Sequence, residues 1–172
     1  MSNLRENTIT FNCKSYVAHY LRTKYLLHGN VIELPRKSHV RNLFLACLEK
    51  NFTESHHEKL TGYQDSVQIF VNDDILKKHG KKISPAFASL FNSVMEEKIK
   101  NEAFYIISII RVKHNYTAAR AILEFQAIYN FFDSFSFSAI KADYYRSLNE
   151  AEEIISKKKT ATKTNQTCTA YH

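Results

Sequence analysis

The chain has 172 residues, of which 44% are hydrophobic and 24% are charged, and its formal net charge is +7. This length and composition fit one domain with a hydrophobic core, or two small lobes packed together, and they exclude a wholly disordered chain. The basic excess favours a partner that carries phosphate groups or an anionic surface.

The numbers of glycines, prolines and cysteines indicate which structural class the protein belongs to. Three glycines and two prolines favour long helices over a many-stranded β-sandwich. Cys13, Cys47 and Cys168 are far apart and odd in number, which predicts reduced thiols rather than a disulfide framework. The first residues contain no apolar signal core, and no apolar run reaches transmembrane length. We therefore expect a cytoplasmic protein with no membrane partner.

The N-terminal half predicts a small sheet with helices. Alternating apolar residues predict three strands, at 7–13, 31–34 and 66–71. Apolar residues at helical spacing predict three helices, at 15–27, after the N-cap Ser38, and at 74–79. Gly29 and Gly80 are expected to stop the first and the last of these helices.

The C-terminal half predicts three helices and a tail. Ser84 as N-cap and Pro85 at the first position begin a helix that runs to about residue 113, on the order of 40 Å long. Its isoleucine-rich end, 105–112, is expected to be nearly all buried. Two further helices follow within 115–148, and the lysine-rich residues from 156 onward predict a tail that is mobile in solution. The alternative is that an i,i+4 pair between Glu153 and Lys157 extends the last helix.

The predicted fold is α+β and mostly helical, with a three-strand N-terminal sheet, a long spine helix and a helix-turn-helix-like pair. We expect an N-terminal lobe at 1–82, a helical lobe at 83–155 and a basic flexible tail at 156–172.

The helix pair within 115–148 suggests how the chain works. In the first helix, one face is expected to be apolar: Ala118, Ala121, Ile122, Phe125, Ile128, Tyr129 and Phe132. In the second, the core-facing residues are expected to be Phe137, Ile140, Tyr144 and Leu148. Two such helices fit a helix-turn-helix, although the link 130–136 is longer than the tight turn typical of that motif.

The opposite face of the second helix carries the candidate DNA contacts, which are Ser138, Lys141, Ala142, Tyr145 and Arg146. Small, hydroxyl and basic side chains suit base edges in a major groove. Asp143 would repel phosphate unless it pairs with Arg146 three residues later. The competing interpretation is an ordinary polar surface helix.

Charge complicates this assignment, because residues 115–155 have three basic and six acidic residues. DNA affinity depends largely on phosphate contacts from Lys and Arg. Further contacts must then come from basic segments elsewhere, which we expect at Arg36, Lys37, His39 and Arg41, at Lys77, Lys78, Lys81 and Lys82, and at Lys157, Lys158 and Lys159. Each cluster has the alternative interpretation of a solvated surface.

The segments VIELPRKSHVRNLF (31–44) and FSFSAIKADYYR (135–146) resemble parts of small bacterial proteins of prophages and conjugative elements. The resemblance implies an accessory or regulatory protein of a mobile element, with DNA as its partner, and it implies no catalytic residue.

Enzyme interpretations find little support. His56-His57-Glu58 lacks metal-ligand spacing, and Glu33, Asp65 and Asp73 are only loosely spaced candidates for a metal-dependent nuclease. We expect a non-catalytic protein that binds double-stranded DNA and uses no cofactor, metal or small-molecule substrate. The alternative is a protein-interaction module that acts as a homodimer or adaptor through its acidic face and its phenylalanines at 131–137.

Overall fold

A computed structural model describes residues 7–50 and 63–167, with side chains described up to Lys157. The strands are β1 (Thr8–Cys13), β2 (Leu26–His28), β3 (Val31–Ile32) and β4 (Asp65–Phe70). The helices are α1 (Ser15–Tyr25), α2 (His39–Ala46), α3 (Asp73–His79), α4 (Pro85–His114), α5 (Ala118–Tyr129) and α6 (Phe137–Thr167). The predicted α+β class with a long helix is confirmed.

The sheet has the strand order β1-β4-β3-β2. Strand β4 pairs antiparallel with β1 and parallel with β3, and β2 pairs antiparallel with β3. The prediction missed β2, because it continued the first helix to residue 27. Instead α1 ends at Tyr25, and Gly29, with a φ of 58°, lies in the turn of the β2–β3 hairpin. Its left-handed conformation thus serves a hairpin rather than a helix end.

Helix starts follow the predicted caps. The side chain of Ser38 accepts a hydrogen bond from the Arg41 amide, and Ser84 accepts one from the Phe87 amide. Pro85 occupies the first helical position of α4, where its missing N–H costs nothing. Gly80 ends α3 with a φ of 100°. Local sequence chemistry therefore decides where these elements begin and end.

Helix α4 packs against the sheet and α1. The ring of Phe91 on α4 contacts Phe11 on β1 and Phe44 on α2, with ring centroids 5.0 and 6.2 Å apart. Buried Asn92 accepts a hydrogen bond from the Lys14 amide at 3.0 Å, which joins the β1–α1 junction to α4. One continuous hydrophobic cluster therefore contains residues from both predicted lobes. The division at 82/83 remains a prediction.

A partly buried carboxylate joins three helices. Glu102 on α4 accepts hydrogen bonds from the hydroxyls of Tyr20 on α1 and Tyr129 on α5, at 2.6 and 2.5 Å. Lys24 on α1 forms an ion pair with the same carboxylate. Burial raises the pKa of Glu102, but these partners outweigh burial and lower it below its usual value. The network holds α1 and α5 against the middle of α4.

Three sequence predictions about exposure and helix length are wrong. The 105–112 segment of α4 is not nearly all buried, because Tyr105, Ile109 and Val112 are 66, 62 and 86% exposed. Ile128 and Phe132 are exposed although the prediction placed them on the apolar face that begins at Ala118. For α4 and for Ile128 on α5 the reason is that packed neighbours cover only one side of the helix, and the apolar sequence continues past that side. Phe132 is not on that helix, because α5 ends at Tyr129 and Phe132 lies in the following turn.

Helix α6 also continues well beyond its predicted end near 155, to Thr167. Residues 156–167 contain no glycine or proline that would stop it, and Lys157 pairs with Glu153 one turn earlier at 3.1 Å. None of the described helices combines the length and apolar composition that crossing a membrane requires.

Candidate nucleic-acid interface

Two features hold helix α6 in place: the cap at its N-terminus and the contacts of its buried face. The side chain of Ser136 accepts a hydrogen bond from the Ala139 amide, which caps the helix. Ile140 and Tyr144 are buried, and the Tyr144 ring packs 5.7 Å from the ring of Phe104 on α4. The Tyr144 hydroxyl accepts a hydrogen bond from Arg111 at 2.7 Å. These contacts fix which side of α6 faces the solvent.

The preceding turn is built by aromatic residues. Phe131 and Phe135 are buried, and the Gln126 side chain donates a hydrogen bond to the Phe135 carbonyl at 2.8 Å. Tyr16 on α1 stacks on Phe135, with ring centroids 5.1 Å apart. Most of this aromatic cluster therefore closes the core, and Phe132, which is 54% exposed, is the exception.

The outward face of α6 carries the predicted contact residues. All five are exposed: Ser138, Lys141, Ala142, Tyr145 and Arg146. The helical spacing predicted this orientation, and the burial of Ile140 and Tyr144 agrees with it.

Asp143 lies beside this face, and two cations neutralise it. Arg146 approaches one carboxylate oxygen at 2.9 Å, and Lys100 on α4 approaches the other at 3.6 Å. The condition set by the sequence, that Asp143 must pair with Arg146, is met. The pair also turns the guanidinium of Arg146 toward its own helix, so phosphate would compete with Asp143 for it.

Lys100 also forms an ion pair with a second carboxylate, that of Glu96 on α4. Glu96 contacts Lys100 at 3.0 Å and Lys14 at 2.6 Å, and it accepts a hydrogen bond from the Tyr16 hydroxyl at 2.6 Å. Burial raises the pKa of Glu96, but these three partners outweigh burial and hold it at about 2. The side chains alternate in sign from α6 through α4 to α1, so the surface under α6 carries little net charge.

The predicted basic segments lie on other elements. Arg36 and Lys37 are exposed in the loop before α2, and Arg41 is half-buried in its first turn. Helix α2 contacts α4 through Phe44 and Phe91, whereas α6 contacts α4 through Lys100, Phe104 and Arg111. In the described part of the chain, no hydrogen bond or ion pair joins residues 36–41 to α6.

The remaining basic residues are also exposed. Lys77 and Lys78 form part of the last turn of α3, and Lys81 and Lys82 follow it. Lys157 is exposed on α6 and pairs with Glu153, and the side chains of Lys158 and Lys159 lie outside the described residues. The predicted basic residues therefore belong to several different elements, and none of the described contacts brings those before residue 83 together with the outward face of α6.

The described residues, 7–50 and 63–167, contain no candidate metal-binding site. No three His, Cys, Asp or Glu side chains among them come close enough together to hold a metal ion. Asp65 forms an ion pair with Arg22 at 3.0 Å. The His56-His57-Glu58 triplet lies outside the described residues.

Sequence reasoning missed the two carboxylates of α4, Glu96 and Glu102. A local signal existed for the first, because Glu96 and Lys100 stand one helical turn apart. No local signal existed for the second, whose partners Tyr20, Lys24 and Tyr129 come from distant segments. Comparison of this chain with family models, curated proteins and solved structures finds no match.

Proposed function

We propose that this protein binds double-stranded DNA without catalysis, as a regulatory or architectural protein of a mobile element in the cytoplasm. The observation that carries the proposal is the solvent-facing side of α6, where Ser138, Lys141, Tyr145 and Arg146 are all exposed. A helix that is packed on one side and polar and cationic on the other has the form of a major-groove reader.

The roles divide by side-chain chemistry. Lys141 and Arg146 supply charge, and Ser138 and Tyr145 supply hydroxyl groups for base edges or phosphates. Arg36, Lys37, Arg41 and Lys157–Lys159 supply phosphate contacts from flanking elements. Because Asp143 accepts a hydrogen bond from Arg146, a DNA phosphate has to compete with this carboxylate, which lowers the net gain from the Arg146 contact.

The decisive experiment compares the double variant Lys141→Ala/Arg146→Ala with the wild-type chain on duplexes selected from a random pool. Both side chains are exposed, so the melting temperature should change little. Affinity for the selected duplex should fall by roughly tenfold or more, because two charged contacts are lost. Fluorescence anisotropy at several salt concentrations measures both the affinity and the salt slope.

The matched control is Lys113→Ala, which removes an exposed cation from α4 and leaves α6 intact. Unchanged affinity of the double variant at moderate salt would exclude α6 as the reading helix. Failure of the wild-type chain to select any duplex would exclude sequence-specific binding, and failure to bind any duplex even at low salt would exclude DNA binding altogether.

A second candidate function is protein interaction without nucleic acid, which the exposed apolar residues Tyr105, Ile109 and Val112 favour. Salt distinguishes the two functions. Retention on a polyanion column should weaken steeply with salt if DNA is the partner, whereas apolar association should not.

A further inference from the structure

A cleft between α4 and α6 contains a positive charge that no described acidic side chain neutralises. The cleft has a volume of about 440 Å³. Its walls are residues 115 and 116, which follow α4, together with Ser108, Arg111 and Val112 of α4 and Tyr144 and Leu148 of α6. Among these described wall residues none is Asp or Glu, and only Arg111 carries a charge. The cleft is therefore a cationic recess rather than an apolar one.

The guanidinium of Arg111 is held in place by one neighbour. Its Nη1 donates a hydrogen bond to the Tyr144 hydroxyl at 2.7 Å, and its central carbon lies 5.7 Å from the centre of the Tyr144 ring. Its Nε is buried, and no group of the described residues accepts a hydrogen bond from it. A guanidinium has five N–H donors, so Tyr144 uses only part of this capacity. Arg111 is therefore oriented, and donors remain for a ligand.

A second arginine shows what Arg111 lacks. Arg22 is also half-buried and also has a buried Nε without a partner, but its Nη1 and Nη2 bind the carboxylate of Asp65 at 3.2 and 3.0 Å. Arg111 forms no ion pair with any carboxylate of the described residues. Paired N–H groups of a guanidinium match the two oxygens of a carboxylate. A carboxylate from a ligand would do for Arg111 what Asp65 does for Arg22.

The chain around the cleft is basic. Residues 103–123 contain no Asp or Glu, and they contain Arg111, Lys113, His114 and Arg120. Arg120 adds a second guanidinium at the wall of the cleft, 4.3 Å from the centre of the Tyr116 ring. The local potential therefore favours an anion over a cation or a neutral ligand.

Two features oppose an anion, and both are weaker than these cations. The C-terminal end of α4 has a partial negative charge of about half a unit, but the Arg111 carbonyl there already accepts hydrogen bonds from the amides of Asn115 and Tyr116. Glu152 is exposed one turn after Leu148 on α6, and no ion pair joins it to Arg111 within the described residues. Solvent screens this carboxylate because it is exposed.

The uncharged walls indicate what kind of anion fits. Val112 and Leu148 are aliphatic, Tyr144 contributes an aromatic ring, and Ser108 adds a hydroxyl group. Small-molecule sites typically have this volume and combine apolar walls with a few polar groups. We propose that the cleft binds a small organic carboxylate with an apolar body, with its carboxylate on Arg111 and its body between α4 and α6. This site goes beyond DNA binding and does not depend on it.

The first test uses sodium benzoate as the probe, together with two matched compounds. Benzyl alcohol has the ring without the charge, and inorganic phosphate has a charge without the ring. In heteronuclear NMR, benzoate should shift the Arg111 Nε–H signal and the Leu148 amide signal saturably, with a dissociation constant on the order of 1 mM for so small a ligand. Benzyl alcohol and phosphate should each bind roughly tenfold more weakly, because each lacks one half of the interaction.

The second test places a negative charge at the wall of the cleft. Val112 is 86% exposed, so Val112→Glu should leave the chain folded, and circular dichroism checks this. Its carboxylate should weaken benzoate binding by roughly tenfold or more, because it repels the anion and competes for Arg111. The control is Ile128→Glu on α5, which is 51% exposed and does not line the cleft, and it should leave benzoate affinity unchanged.

The third test changes the cation itself. Arg111→Met removes the guanidinium and should abolish saturable benzoate binding, followed through the Leu148 amide signal. Arg111→Lys keeps the charge but loses the paired donors, so it should weaken binding only by roughly two- to tenfold. If Arg111→Met does not fold, Val112→Glu still decides the question, because Val112 is exposed.

Three results would overturn the proposal: no saturable shift of the Arg111 signal with benzoate, equal binding of benzyl alcohol, or equal effects of Val112→Glu and Ile128→Glu. Phosphate that binds as tightly as benzoate would overturn the assignment to an organic carboxylate. All of these measurements are made without DNA, so failure here is distinguishable from failure of DNA binding.

Discussion

At the scale of single residues, Gly80 has a structural requirement that no other residue type meets. It ends α3 with a φ of 100°, a region that L side chains rarely adopt. A Cβ at this position would lie 2.1 Å from the carbonyl oxygen of Glu49. The adjoining backbone is also tied, because the Glu49 amide donates to the Lys82 carbonyl at 2.9 Å. The close approach of two chain segments thus depends on one missing side chain.

Gly80→Ala should therefore destabilise the protein by more than about 2 kcal/mol, because backbone strain and a backbone clash add. Gly29→Ala is the matched control: its φ is 58°, and a Cβ there has nothing within 4 Å, so it should cost only about 1 kcal/mol. Urea titration monitored by circular dichroism measures both. If both variants lose the same free energy of unfolding, the close approach of Gly80 to Glu49 does not contribute to stability.

At the scale of elements, α4 is held in place by carboxylates as well as by apolar contacts. Glu96 binds α1 through Lys14 and Tyr16, and Glu102 binds α1 and α5 through tyrosine hydroxyls. Burial, and then the hydrogen bond to Glu96, raises the pKa of Tyr16. These hydroxyls stay protonated and act as fixed donors at any physiological pH.

The depressed pKa of Glu96 predicts a specific acid sensitivity. Its folded value of about 2 lies below the ordinary 4.5, so its stabilisation is fully present above pH 4.5 and is lost as the pH falls through 2. The wild-type chain should lose about 1–3 kcal/mol more than Glu96→Gln over this interval. Denaturant unfolding at a series of pH values tests this.

Glu124→Gln provides the comparison, because Glu124 is exposed on α5 and has no such partners among the described residues. It should retain the wild-type loss of stability below pH 4.5. If Glu96→Gln also retains it, the pairing with Lys14 and Lys100 does not stabilise the fold.

At the scale of the whole molecule, the two predicted lobes share one core. Phe91 on α4 contacts Phe11 and Phe44 from the N-terminal half, and Tyr20 on α1 stacks on Tyr129 on α5 with ring centroids 5.3 Å apart. Such contacts across the division at 82/83 favour cooperative unfolding.

Phe91→Ala should cost about 3–5 kcal/mol and should lower the stability of both halves together in a single transition. Thermal unfolding followed by NMR measures this: the amide signals of β1 report on the N-terminal half, and those of α5 report on the C-terminal half. Phe132→Ala, at an exposed phenylalanine, should change stability by no more than about 0.5 kcal/mol. Separate transitions for β1 and α5 would instead support two independent lobes.

Much of the fold was predictable, because its signals are local. Caps at Ser38, Ser84 and Gly80 and apolar periodicity place most strands and helices, since each depends on residues within a few positions. The inner face of α6 was predictable for the same reason. Strand β2 was not, because Leu26 lies on a strand only by pairing with Ile32 across a hairpin.

The order of amino acids by itself determined the class of fold, the starts of α2 and α4, the end of α3 and the outward side of α6, because caps and periodicity act within one or two turns. Only the tertiary structure decided which apolar residues are covered. Tyr105, Ile109 and Val112 have the composition of a core, yet they are exposed because no described element packs on that side of α4 at their level; α2 lies on that side only nearer the N-terminal end. Burial depends on neighbours that are distant in sequence, and no local pattern specifies them.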